Sequence, residues 1–414
     1  MRILSLEIKR ILKSRRTLIL LAVAMLLSIA MAYLPISFEG INRPNGDGTV
    51  TELDGLAAIK YKRDLYASIN GEVTPQKIKE AIQTYQDCVN EYGPVEEEGF
   101  PLEVNIEKIV PIRPLLKGLA EVFADPLTGI GADLMDINPD DIDQSYYEKC
   151  AKHLNDVMKN EQRDYPTAQQ KANDKYAKVE KPFTLYAGMS KDAFDYIELY
   201  ILFLAILCVA ITAPVFANEY QTGSDSILRA TRHGRVRLAI AKILASCMVF
   251  IVVYILGMTV HLFILNWAFG TECLKTSVQM LYSIINLPNW NLGQLQIILV
   301  AAGLLSILAT ISCTLFLSAK CKDSLTVMLI SIVVLLTPFF AYAAIGGATW
   351  ISSILPSAGI GMQINFLYQL LNFNYLHIGK ISFWTPYVIL IFVAIEVPVF
   401  LFLAIRSYCK HEVN

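Results

Sequence analysis

The chain has 414 residues, of which 54% are hydrophobic and only 17% charged. That balance argues against a wholly soluble protein and for one that crosses a membrane several times. The formal net charge of −2 hides an uneven distribution: residues 38–195 carry 18 Lys and Arg against 29 Asp and Glu, and the remainder carries 17 against 8. An acidic, water-facing segment is therefore set into a basic membrane protein. A nucleic-acid partner is not expected, because the basic residues outside that segment sit at the ends of apolar runs.

Residues 1–16, MRILSLEIKRILKSRR, place Leu4, Ile8, Ile11 and Leu12 on one helical face and Arg2, Lys9, Lys13 and Arg16 on the other. This pattern predicts an amphipathic helix in the inner interface of a lipid bilayer. The uncharged run 17–37 follows as a first transmembrane helix. A cleaved signal peptide is the other reading of a basic start before an apolar run. The run is span-length, however, and the basic segment before it is long and amphipathic.

Residues 38–195 read as an extracellular, mostly helical domain. Thr74-Pro75 predicts a helix to about Tyr92, and Asn138-Pro139 predicts another to about Arg163. Residues 167–179 also read as helix, and strand signals are few. The spacing of the carboxylates fits no calcium loop, so a solvated acidic face is expected. Cys88 and Cys150 both fall here, and either a disulfide between them or two free thiols fits the sequence.

A second span is expected at 196–217, with Pro214 as a candidate kink and Glu198 at its outer, interfacial end. Residues 218–238 form a short basic loop, followed by spans three to six within 239–407 and a tail at 408–414. The third span runs from about Ala239 to Trp267. The segment 347–384, almost uncharged but broken by Gly, Pro and Asn, reads as outer re-entrant helices rather than a further crossing. Six spans put both termini in the cytosol. Of the 17 Lys and Arg outside the acidic segment, only Lys275 and Lys380 then lie in outer loops, as the positive-inside rule requires. The fold class is thus an all-α polytopic membrane protein with six transmembrane helices, at home in the plasma membrane.

No GxxxxGK[ST] loop, GxSxG, HExxH or Cys/His metal spacing occurs in the chain. No catalytic residue, metal ligand or cofactor-binding residue is assigned, and no enzyme activity is expected. Two titratable residues lie at span depth, where charge is costly. Glu396 and His261 are candidates for an intramembrane polar site, or else for a hydrogen-bonded structural carboxyl and a helix-packing histidine. The loop FANEYQTGSDSILRATRHGRVRLAIAK is more informative. Arg229, Arg232, Arg235, Arg237 and Lys242 mark it as cytosolic, and the pair Ile227-Leu228 stands in a polar surround.

These features resemble the permease subunits of type-2 ABC transporters, and the helix pattern of the acidic domain resembles uncharacterised permeases of Gram-positive bacteria. The resemblance covers the whole membrane portion and is carried most specifically by Glu219, Gly223, Arg235, Ala241 and Lys242. It implies an exporter subunit whose loop 218–238 is a coupling helix docked on a separate ATP-binding subunit, with Glu219, Gly223, Ile227, Leu228, Arg229, Arg232, Arg235 and Lys242 as coupling residues. It implies a second permease subunit, identical or a paralogue, and places ATP and Mg on the ATPase rather than on this chain. The rival reading is a membrane receptor or sensor with an extracellular ligand-binding domain. It is disfavoured because no sizeable cytosolic output segment is present.

Overall fold

A computed structural model describes residues 2–47, 49–231, 234–345, 350–361 and 364–411. Among these, six helices are long and apolar enough to cross a membrane: Arg15–Ser37, Lys191–Thr222, Val236–Phe269, Leu292–Lys320, Ser324–Ala344 and Thr385–Lys410. They are numbered here as the first to sixth spans. The fold is therefore an all-α polytopic bundle with few strands. A separate helix, Arg2–Lys13, precedes the first span; Ser14 divides the two, its hydroxyl accepting from Thr17 N–H.

The fourth span is the central post. It packs along the sixth span over the longest contact in the protein and also against the second, while the first span packs on the second and third. These contacts fit the composition of each helix: the second and fourth spans are largely buried, whereas the first, fifth and sixth leave wide apolar faces outward. At Gly257 the third span meets the second so closely that a Cβ would collide with the Tyr200 hydroxyl. That hydroxyl donates to Ala24 O of the first span at 3.1 Å, so three spans converge on one small residue.

The second span is broken where Pro214 supplies no N–H and a turn replaces one helical residue at Ala213. Other side chains satisfy the freed groups. Arg16 Nη2 donates to Ala210 O at 3.4 Å. Ser318 Oγ of the fourth span donates to Ala213 O at 2.7 Å and accepts from Phe216 and Ala217 N–H at 3.0 and 3.1 Å. The kink is thus pinned to two neighbouring helices, which fixes the direction in which the chain leaves the bundle.

The insert between the first two spans is built on the helices Gly55–Leu65, Pro75–Tyr92, Val110–Val122, Tyr146–Glu161 and Pro166–Tyr176. Thr74 caps the second of these, its hydroxyl accepting from Lys77 N–H at 3.3 Å, as the Thr-Pro signal predicts. The helix predicted from Pro139 is interrupted: Pro139–Asp141 makes a single 3-10 turn, and Asp143 then captures Ser145 N–H at 3.0 Å before the helix begins at Tyr146. Cys88 and Cys150 are both free thiols, which excludes the disulfide.

One further expectation is corrected. The insert is not a self-contained unit, because its apolar core, including Ile78, Leu119, Leu154 and Tyr176, is continuous with that of the bundle. The strands are few and short. A hairpin joins Gly40–Pro44 to Val50–Asp54, a two-residue pairing joins Gly71–Glu72 to Thr184–Leu185, and a second hairpin joins Tyr375–Ile378 to Ile381–Trp384. The last of these lies within 347–384. The other described elements there are the short helices Trp350–Ser353 and Phe366–Leu371; residues 346–349 and 362–363 are outside the described residues.

Candidate functional site

The end of the bundle where the helix Arg2–Lys13 and the last turn of the sixth span lie also carries the basic loop. Past the kink, the second span continues as the helix Pro214–Thr222. It stops at Gly223, whose φ of +68° is a left-handed conformation that favours glycine. A seven-residue helix, Ser224–Ala230, follows. The third span then begins at Val236.

A cluster of four charges, three of them buried and the fourth, Arg10, exposed at its edge, sits at the root of this loop. Lys242, from the third span, is 1% exposed and forms an ion pair with Glu219, from the second, which is 4% exposed. Arg10 of the N-terminal helix reaches the same Glu219 oxygen at 2.8 Å and its own neighbour Glu7 at 3.2 Å, and Lys242 Nζ stands 3.9 Å from Glu7. Lys242 and Arg10 also converge on Val215 O, each at 3.5 Å. Two carboxylates and two cations therefore balance within one contact. Buried charge is tolerated only on such terms. The cluster fastens three separated segments to one another: the N-terminal helix, the loop root and the third span. The signal for Glu219 and Lys242 was in the sequence. Glu7 and Arg10 were missed, because on the amphipathic helix they read as part of its polar face.

The loop residues divide by environment. Ile227 is 73% exposed. Leu228 beside it is half-buried against the core, so the pair does not act as one surface. Arg229 Nη2 donates to Cys409 O at 3.1 Å, and its guanidinium lies over the Tyr408 ring at 5.7 Å, which ties the loop to the end of the sixth span. The Tyr408 hydroxyl in turn donates to Gly234 O at 3.3 Å. Arg235 is exposed at the start of the third span. Arg232 lies outside the described residues. Beside the cluster, Arg10, Arg16, Thr17, Val215, Glu219 and Leu228 line part of a cleft of about 430 Å3.

The intramembrane candidates are not brought together. His261 is fully buried: Nδ1 lies 3.2 Å from Ser28 O, and the ring stacks on Tyr200 with centroids 5.3 Å apart and planes 1° from parallel. It packs the third span onto the first and second. Glu396 lies elsewhere, half-buried on the sixth span near Cys313, and its Oε2 has no hydrogen-bond partner among the described groups. Glu198, expected at the interface, is instead buried at 1% exposure and accepts from Leu367 N–H at 3.3 Å. The chain folds the helix Phe366–Leu371 over it, a long-range contact that no local pattern announces. Among the described residues no cluster of His, Cys, Asp and Glu is arranged to hold a metal ion.

Six spans, a large insert after the first and an ion-paired loop after the second define a polytopic membrane protein of the transport class. More particularly, the chain belongs to the ABC-2 family of transporter proteins, whose family model matches residues 1–413. It is a permease subunit of a type-2 ABC transporter, a family that works in the membrane with an ATP-binding subunit. No curated protein matches the chain.

Proposed function

We propose that this permease is driven by a separate ATP-hydrolysing subunit that seats residues 218–238, and that Ile227 is the side chain received in the partner's groove. The observation that carries this reading is one of contrast. A strongly exposed isoleucine projects from a loop whose root is fixed by buried charges. An apolar side chain held out in water by an ordered backbone gains free energy only when something covers it. A load applied at Ile227 would pass through Glu219 to Lys242 and Arg10, and so into the third span and the N-terminal helix together. That is a rigid-body transmission of the kind that rocks helices about an interface.

The rest of the reading follows from charge. With 15 of the 17 basic residues outside the insert at one end of the bundle, that end and both termini face the cytosol and the insert faces outward. ATP and Mg belong to the partner. A second permease subunit, a copy or a paralogue, completes the path, and export is the direction that the resemblance supports. The support for the ATPase contact is the placement of Ile227 together with family membership.

The test is Ile227→Asp in the full chain. Burying an isoleucine is worth about 1.5–3 kcal/mol, so the change should weaken ATPase association by roughly ten- to hundredfold. Membrane abundance and thermal stability should stay near the parent level, because Ile227 is 73% exposed and adds little to the core. A variant that co-purifies with its ATPase and stimulates ATP hydrolysis as the parent does would refute the assignment.

A further inference from the structure

Of the large apolar side chains described, Leu127 is the most exposed at 78%, and Ile130 follows Ile227 at 70%. Both lie in the turn 126–132, PLTGIGA, which contains no charged residue. The turn is not loose. Asp125 Oδ1 accepts from Leu127 N–H at 2.9 Å, and Asp125 O accepts from Gly129 N–H at 2.8 Å. Asp125 N–H donates to Ile130 O at 3.2 Å. Thr128 Oγ1 donates to Asp125 Oδ2 at 3.1 Å and accepts from Ile130 N–H at 3.4 Å. Ala132 N–H donates to Ala120 O at 3.0 Å. The N–H groups of Leu127, Gly129, Ile130 and Ala132 are thus met from within the protein, which lowers the cost of moving the turn into an apolar phase.

The position of the turn says which phase. The helix before it, Val110–Val122, lies on the connection between the third and fourth spans. Glu121 accepts from the Ser283 hydroxyl and from Ile284 N–H at 3.2 Å, and Lys117 donates to Tyr282 O at 3.4 Å. On its other side the turn is held by Asn160, whose amide donates to Pro126 O at 3.1 Å. Two residues further, Gln162 donates to Phe373 O at 3.0 Å, in the segment that leads into the sixth span. Tyr282 stands against Phe194 in the first turn of the second span, ring centroids 6.2 Å apart, and Asn374, next to Phe373, accepts from Thr385 N–H at 3.1 Å where the sixth span begins, so the turn is carried on a frame that abuts the insert ends of two spans.

We propose that the turn 126–132 dips into the bilayer leaflet at the insert end, with Leu127 and Ile130 among the acyl chains near the headgroups. The occupant of this surface is lipid. The insert would thereby be held to the membrane at a third place, apart from its two covalent tethers. The proposal rests on the six spans crossing a bilayer and not on the ATPase contact.

The test uses the full chain in phosphatidylcholine nanodiscs. An environment-sensitive NBD group is attached at Leu127→Cys and, as a water-exposed control, at Asp140→Cys, with the signal of the labelled parent subtracted. NBD at position 127 should emit to the blue of the control. Lipid carrying a doxyl group at acyl carbon 5 should quench it roughly threefold or more beyond the control, as expected for a group some 5–10 Å into the interface. Emission and quenching equal to the control would overturn the proposal. Blue-shifted emission that doxyl lipid fails to quench would also overturn it, since a protein surface would then cover the turn.

Discussion

Lys242 and Glu219 show how little a residue's local sequence says about its surroundings. In the sequence both belong to a basic, water-facing loop; in the structure both are buried and answer each other and the N-terminal helix. Removing Lys242 leaves Glu219 and Glu7, both buried, to share the half-exposed Arg10, at a cost of up to about 3–5 kcal/mol. Lys242→Met should therefore lower the thermal stability of the purified chain markedly. Adding Glu219→Gln should restore most of the loss, because the remaining Glu7 and Arg10 stay paired. If the single change leaves the unfolding temperature where it was, the cluster does not hold the loop. His261 and Glu198 carry the same lesson. The sequence gives their depth along a helix but not their hydrogen-bond partners, which come from segments more than 150 residues away.

At the scale of elements, the kinked second span sets the geometry of everything at the loop end. Pro214 announces the break in the sequence, but nothing local announces its repair by Ser318 from the fourth span. Ser318→Ala strips the partner from Ala213 O and from two buried N–H groups, each worth about 1–3 kcal/mol if left unmet. Unfolding should shift to lower temperature by a margin that Ser318→Thr, which keeps the hydroxyl, largely recovers. Equal stability of the two variants would mean that the kink is self-supporting. The spans themselves were legible, because twenty apolar residues in a row have one physical explanation. The hairpin Tyr375–Ile378 with Ile381–Trp384 was not, although Gly379 with a φ of +60° sits in its turn. Its alternation is masked by the apolar residues on both sides, and the strands are held in place by the insert: Lys171 donates to Ser382 O at 2.7 Å, and the Tyr165 ring stacks on His377.

For the whole molecule, the charge asymmetry marks the insert as a segment distinct from the apolar spans but does not say whether it folds as a unit. Composition reports which residues meet water and is silent on how two apolar surfaces share a core. Here Tyr176 donates to Ile284 O at 2.8 Å, and Thr276 exchanges hydrogen bonds with Tyr186 at 2.8 Å in both directions. The insert is therefore seated on the span connections as firmly as on itself. A displacement of the spans from the loop end would reach it through those contacts, and this places the basic loop and the insert at opposite ends of one packed body.

The central claim is that Ile227 touches an ATP-hydrolysing partner, and photocrosslinking in native membranes tests it most directly. A benzophenone-bearing residue is placed at position 227, and another at Ile330 on the outward face of the fifth span as the lipid-facing control. The account predicts a crosslinked species from position 227 alone, containing a second polypeptide with a GxxxxGK[ST] phosphate loop. Crosslinks from position 227 only to lipid, or only within this chain, would contradict it.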